Sequence, residues 1–399
     1  MVLVPEIQMI ATSAGAANVT INGCDFTGLA VVNVAGAGAQ VAINNTNITN
    51  VDANKAENYG AITVWSSAEN AVVDVENTTI TVADDSKKAY VFPANATVTG
   101  VDEVGQIVAM IGDAGYETLT EAIADAKEGQ TVKMVYDATG AGVVINKNAV
   151  IDFNGKTYTV NEGVGSTGTE TLGLQILKGN NVTLKNGTLT SEGDKVKMLI
   201  NNYTNLTVDN MKLVDATDAI QYVLSNNSGN VVIKNSSEIT ADGAIAFDAC
   251  KYANYALPTV TVEEGVVVTG DVEVSATLNM NGTLNGTIVL DKATGVVNAT
   301  KEYDVTTTVA DSKVAFENGA YTVVAKVYTA QVGEQGYETL AEAIAAAQAD
   351  QTIELLANVE GDVTLSKNVT IDGAGKSYTG TMTINNVTAT IQNVAFVKG

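Results

Sequence analysis

The stretch Gly115-Tyr116-Glu117-Thr118-Leu119 continues through Glu121-Ala122-Ile123-Ala124 to Gln130-Thr131-Val132, and closes with Ile151-Asp152, Gly155-Lys156 and Tyr158-Thr159. The chain contains it twice. The second copy begins Gly336-Tyr337-Glu338-Thr339-Leu340, passes Glu342-Ala343-Ile344-Ala345 and Gln351-Thr352-Ile353, and closes with Ile371-Asp372, Gly375-Lys376 and Tyr378-Thr379. The copies lie 221 residues apart at Gly115 and Gly336 and 220 apart at Ile151 and Ile371, so one residue is deleted between. A long internal period is the signature of a repeat architecture.

Each copy predicts one helix followed by strands. Thr118 with Glu121, and Thr339 with Glu342, have the spacing of a capping box, in which hydroxyl and carboxylate satisfy each other's orphan backbone donors. Leu119, Ala122, Ile123 and Ala126 follow at i, i+3, i+4 and i+7, an apolar stripe on one helical face. Leu340, Ala343, Ile344 and Ala347 repeat it. Gly129 is expected to end the first helix; Asp350 stands in its place in the second. The period then shortens: Val132 and Met134, Val143-Val144-Ile145 and Val150-Ile151 read as short strands.

A shorter motif runs through the whole chain. It is a strand of the form apolar-x-apolar-x closed by Asn or Gly: Val19-Thr20-Ile21-Asn22-Gly23, Val41-Ala42-Ile43-Asn44-Asn45, Val73-Asp74-Val75-Glu76-Asn77, Val182-Thr183-Leu184-Lys185-Asn186, Leu206-Thr207-Val208-Asp209-Asn210, Val231-Val232-Ile233-Lys234-Asn235 and Ala389-Thr390-Ile391-Gln392-Asn393. Ile151–Gly155 and Val369–Gly373 fit with Gly last. Asn and Gly share tolerance of the left-handed backbone, which costs other residues roughly 1–2 kcal/mol. The fifth position is therefore read as a bend, and the expectation is that Asn186→Gly is nearly neutral while Asn186→Val is not. Motif spacing is 22 residues from Ile21 to Ile43, 24 from Leu184 to Val208 and 25 from Val208 to Ile233, with longer gaps that leave loops at 50–60 and 161–171. Three short strands per turn of a coil fit that period, and Asn side chains stacked along the coil can form a hydrogen-bonded ladder.

Composition narrows the function. Aromatic residues are 5% and charged residues 17%, so the core is filled by small and β-branched side chains, which suits stacked strands. The net charge is −24; there is no His, and all 21 basic residues are Lys. Such a surface repels phosphate backbones and anionic lipid, which argues against nucleic-acid binding. No apolar run reaches the roughly 20 residues of a membrane span, and Met1–Glu6 lacks the basic start of a signal peptide. Cys24 and Cys250 stand about nine rungs apart, or ~40 Å at the ~4.8 Å strand spacing, and are read as unpaired core thiols.

The capped helix with Leu-x-x-Ala-Ile, the strand after Gly-x-Thr-Val, and the rungs with Asn bends resemble the pectate-lyase-like superfamily, within it most of all the tandem repeats of prokaryotic cell-surface and adhesin-like proteins. The resemblance implies an all-β fold: a right-handed parallel β-helix, or β-solenoid, in tandem units each opened by a short capping helix. Residues 1–112 are read as the last rungs of a unit, 113–333 as a complete unit and 334–399 as the helix and first rungs of another. Ile391 matches Leu184 and Ile21 matches Val208, so the rung at the C-terminus and the rung at the N-terminus are consecutive in phase.

Members of that superfamily include lyases that use a carboxylate-bound Ca²⁺ and an Arg, and hydrolases with Asp, His and Arg motifs. Without Arg or His, neither set can be carried onto this sequence, and no catalytic, cofactor or metal residue is assigned. Asp84-Asp85, Asp215 with Asp218, and Glu263-Glu264 are the acidic clusters, and each reads as a solvated loop; paired carboxylates alone would suit glycoside hydrolysis. Asn18, Asn47, Asn95, Asn181, Asn205 and Asn281 stand in Asn-x-Thr triplets, glycan acceptors in a glycosylating host, but Asn and Thr are also what bends and strands use. Trp65 with Tyr59, Tyr90 and Phe92 is a sugar-stacking candidate or an internal aromatic stack. The expected function is a non-catalytic structural or adhesive β-solenoid, extracellular and on a cell surface: a stalk, filament or surface-layer component. Its expected partners are copies of itself end to end or neighbouring repeat units, and surface glycans. The alternative is a carbohydrate-active or glycan-binding β-helix, such as a lyase, a hydrolase or a phage tailspike.

Overall fold

The computed structural model describes residues 10–12, 15–28, 31–50, 60–82, 87–92, 95–112 and 114–398. The protein is all-β, its sheets are mostly parallel, and the described residues include two seven-residue helices. Two compact units divide it: Met1–Thr308 with Phe316–Thr322, and Val309–Ala315 with Val323–Gly399.

In the first unit the chain lays down three strands and then returns to pair each of them in parallel. Asn18–Asn22 carries Gln40–Asn44, which carries Val72–Glu76, with Ile21 opposite Ile43 and Ile43 opposite Val75. Asp25–Gly28, Asn47–Asn50 and Thr79–Thr81 form a second stack, and Ile10–Thr12, Val32–Val34, Ile62–Val64 and Ala89–Val91 a third. The stacking continues beyond residue 130. One column runs Val132, Ile151, Leu184, Val208, Ile233, Val262, Met280, each directly opposite the next. All seven are buried. Alternation explains this: a parallel strand sends every second side chain to one face, so an apolar-x-apolar motif at constant register builds a continuous core.

The second unit repeats the plan. Gln351–Leu355, Val369–Asp372 and Ala389–Gln392 stack in one column, and Val359–Glu360, Ser377–Thr379 and Ala395–Val397 in another. Antiparallel pairing is confined to a few places, such as the hairpins Ala109–Ile111 with Ala114–Tyr116 and Ala330–Val332 with Gln335–Tyr337. Their turns place Gly112 and Gly333 at φ 61° and 62°, where glycine is needed.

Helix α1 spans Leu119–Asp125 and α2 spans Leu340–Ala346, and both bury the predicted stripe. The α2 capping box is complete; at α1 only the Thr118 half forms, with Glu121 N–H donating to Thr118 Oγ1 at 3.2 Å while the Thr118 hydroxyl donates to the Glu121 carboxylate at 2.9 Å. Gly129 does not end α1: the C-cap is Ala126, and Gly129 (φ 81°) serves the following turn, as Asp350 (φ 64°) does in the second copy. The open carbonyls at both helix ends are met instead by a lysine. Lys147 Nζ donates to Ala124 O and Ala126 O, and Lys367 Nζ to Ala345 O and Ala347 O. A cation is favourable at that pole of the helix dipole.

The bends fall where the motif places them. Gly23, Asn45, Asn77, Gly155, Asn186, Asn210, Asn235 and Asn393 all have φ between 48° and 78°. The exception is Gly373, where the left-handed residues are Ala374 and Gly375 instead. Gly373 is required by space: a Cβ there would lie 2.4 Å from Asn393 O and 2.7 Å from Val394 Cα. In the first copy the pair is reversed, since Phe153 is fully buried and Gly187 on the next rung gives it room, with a Cβ at Gly187 meeting Phe153 Cβ at 2.3 Å.

Candidate functional site

A face of the first unit rich in polar side chains lies on the stacked strands Leu172–Ile176, Met198–Asn202, Tyr222–Asn226, Glu238–Ala249 and Val267–Val274. Register aligns Gln175, Asn201 and Ser225, and further along Asp248 with Glu273. Ser225 Oγ donates to Asp248 Oδ2 at 3.3 Å, and the Asn226 N–H donates to Asp248 Oδ1. Tyr222 donates its hydroxyl to Glu273 Oε2 at 3.1 Å, two rungs on. Burial pushes the Asp248 carboxyl up to about 7; the two donated bonds oppose the shift and the Glu273 charge adds to it. Asp248 is only 5% exposed and both of its oxygens are used, so it ties rung to rung and is not presented to a substrate. Beside it Cys250 Sγ lies 3.3 Å from Ser275 Oγ, and burial pushes this thiol up to about 12. Inside the coil, Asn202 Nδ2 donates to Asn226 Oδ1 at 2.8 Å, a fully buried amide pair.

One flank of this face is aromatic. Tyr203 follows the Met198–Asn202 strand, and Tyr252 and Tyr255 stand in the loop after Ala249. The ring centroids of Tyr203 and Tyr252 are 5.7 Å apart, those of Tyr203 and Tyr255 5.6 Å, and those of Tyr252 and Tyr255 6.0 Å. Lys178 places its ammonium 5.4 Å from the Tyr255 centroid. The loop is pinned, because Tyr252 N–H donates to Asn227 O and Tyr255 N–H to Tyr252 O, each at 3.0 Å. Between them Ala253 holds φ 45°, a left-handed conformation that alanine adopts at a cost of roughly 1–2 kcal/mol.

A second feature is the ladder along the bends. Asn186 Nδ2 donates to Asp152 Oδ1 at 3.1 Å, Asn210 Nδ2 to Asn186 Oδ1 at 3.2 Å, and Asn235 Nδ2 to Asp209 Oδ1 at 2.7 Å. Of these residues Asp152, Asn186 and Asn210, with Gly155, Gly187, Lys212 and Ser236, border a groove of about 450 Å³. In the second unit Asn393 Nδ2 donates to Asp372 Oδ1 at 3.0 Å, and the hydrogen bonds from Ala374 N–H, Asn393 and Gln392 hold that carboxyl below the usual range. The ladder expected from the sequence thus joins amides both to carboxylates and to one another.

The clusters singled out in the sequence do not converge. Asp84-Asp85 and Tyr59 lie outside the described residues. Asp215 is buried and accepts the N–H groups of Thr217 and Asp242, which shapes a loop, while Asp218 is exposed. Glu263 and Glu264 border a shallow cavity of about 380 Å³ with Asn281, Thr300 and Lys301. Trp65 stacks on the buried Phe92 at 4.8 Å, and Tyr90 is buried too, so these aromatics pack internally. Cys24 and Cys250 are free and only partly buried. Of the six Asn-x-Thr residues, five are exposed and Asn281 is half-buried; Asn205 spends its amide on Asn181 Oδ1 at 3.0 Å. Among the described residues, no group of three or more His, Cys, Asp or Glu is placed to hold a metal, and no helix is long and apolar enough to cross a membrane.

The tyrosine cluster was missed because its members are far apart in sequence. The rung period would have found it: Tyr203, Asn227 and Tyr252 are spaced 24 and 25 residues, one rung each. No family model, curated protein or solved structure matches this chain.

Proposed function

We propose that the chain is a structural and adhesive module: a right-handed parallel β-helix at a cell surface, extending by rung-on-rung contact with copies of itself or with neighbouring units of like sequence. It performs no catalysis in this reading. The observation that carries it is a comparison of one rung in its two copies. In the first copy Leu189 stands opposite Leu213 of the next rung and is fully buried. In the second, the matching Phe396 is 58% exposed and Val397 is 51% exposed, on the edge strand Ala395–Val397. In the first copy this surface is thus one that a further rung of like sequence covers.

The complementary edge is present as well. Among the described residues, Asn18–Asn22 and Asp25–Gly28 are edge strands, and their motif matches Asn205–Val214, the rung that covers the first copy. Neither edge carries Lys or Pro within its strands, the usual devices that block strand addition. Stacked in the first copy's register, Ile391 would face Ile21, and Phe396 would face Phe26. Such a contact is head-to-tail and open, which builds filaments. The acidic surface and the Ala, Val, Thr and Asn bias support an extracellular place, as does the resemblance to surface-protein repeats. Sedimentation velocity over a concentration series tests the reading. The chain should associate progressively, and Phe396→Asp should return it to a monomer. A monomer at every concentration would overturn it.

A further inference from the structure

We propose that Tyr203, Tyr252 and Tyr255, with Lys178, form a binding site for a neutral saccharide. This goes beyond end-to-end association and gives the module a ligand at a surface of its own. Tyr252 is 53% exposed, and its two ring partners are half-buried. Exposed aromatic faces favour the C–H face of a pyranose, while phenol hydroxyls meet its hydroxyl groups. The loop is tied to the neighbouring rung by the Tyr252 N–H to Asn227 O bond and by Ser228 Oγ, which donates to Ala256 O at 3.4 Å, and Tyr255 N–H closes a turn on Tyr252 O. The left-handed Ala253, at φ 45°, lies between the two loop tyrosines, and backbone held in such a conformation is common beside binding sites.

Two further observations choose the ligand. The cation position over Tyr255 is already taken by Lys178, which opposes a cationic ligand. The net charge of −24 opposes an acidic polysaccharide.

Isothermal titration against soluble hexasaccharides of glucose, mannose, galactose and N-acetylglucosamine tests the site, with hexagalacturonate and tetramethylammonium as comparisons. The Phe396→Asp chain is used, so that the result is independent of self-association. At least one neutral hexasaccharide should bind. Tyr252→Ala should weaken it about tenfold, the loss of one stacking contact, while Tyr252→Phe stays within about threefold. Circular dichroism confirms that each variant is folded. Absence of binding by all four neutral probes, equal binding by folded Tyr252→Ala, or binding of the comparison ligands alone would overturn the proposal.

Discussion

Replacing Asn186 separates the two things this residue does. Its backbone sits at φ 59°, and its side chain joins Asp152 below and Asn210 above. Asn186→Gly keeps the backbone but breaks both side-chain hydrogen bonds. Each is worth about 0.5–1.5 kcal/mol net, and partial exposure puts them at the low end, so the expected loss is about 1–2 kcal/mol. The bend alone predicted near neutrality; the ladder is the reason for the difference. Asn186→Val loses the same bonds and also forces a β-branched residue into the left-handed region, a further ~1–2 kcal/mol, for about 2–4 kcal/mol in all. Urea unfolding followed by far-UV circular dichroism measures both, each against the parent chain. The gap between Val and Gly isolates the backbone contribution. If the two variants unfold at the same midpoint, the bend assignment is wrong; if Gly matches the parent, the ladder contributes nothing.

Asp248 has a folded value of about 7 against 3.8 for the free group, so its protonated form favours the folded state. That contribution is fully present below about pH 4 and is lost as pH rises through about 7, and Asp248→Asn should remove this share of the pH dependence in urea unfolding. A pH dependence identical in the two chains would contradict the placement. Cys250, whose thiol is pushed up to about 12, should react with iodoacetamide at pH 8 far more slowly than a free cysteine, and peptide mass mapping of the alkylated chain reads this directly. Adding a methyl at Gly187 should destabilise by about 1–3 kcal/mol, because the new Cβ meets Phe153 Cβ at 2.3 Å and Lys156 O at 2.5 Å; unchanged unfolding of Gly187→Ala would refute the tight approach.

Much of the fold was legible because its rules are local and repeated. A left-handed bend selects Asn or Gly, so Asn45, Asn77, Asn186, Asn210 and Asn235 announce themselves one by one, and alternation between bends fixes which side chains face inward. The failures have equally local causes. Gly373 is small because Val394 presses on it from the next rung, and a sequence shows the glycine without its neighbour. Gly129 looked like a helix end, but Lys147, a rung away, supplies the partner for the α1 carbonyls. The tyrosine cluster joins residues brought together by the stacking period, and Asp248 finds its partners, Ser225 and the Asn226 N–H, on the neighbouring rung. Each of these contacts becomes visible only after the rung register is known.

The central claim is that the Ala389–Val397 rung accepts the Asn18–Gly28 rung of another copy in one register. In that register Gln392 stands directly opposite Asn22, as Lys185 stands opposite Asp209. Neighbouring strands place such Cα atoms about 4.8 Å apart, within the span of a disulfide. With Cys24 and Cys250 replaced by Ser, the chain carrying Asn22→Cys and Gln392→Cys is oxidised and run on a non-reducing gel. The account predicts a ladder of covalent multimers that collapses on reduction, with each single-cysteine chain giving no species beyond a dimer. Monomer alone in the double variant would contradict it.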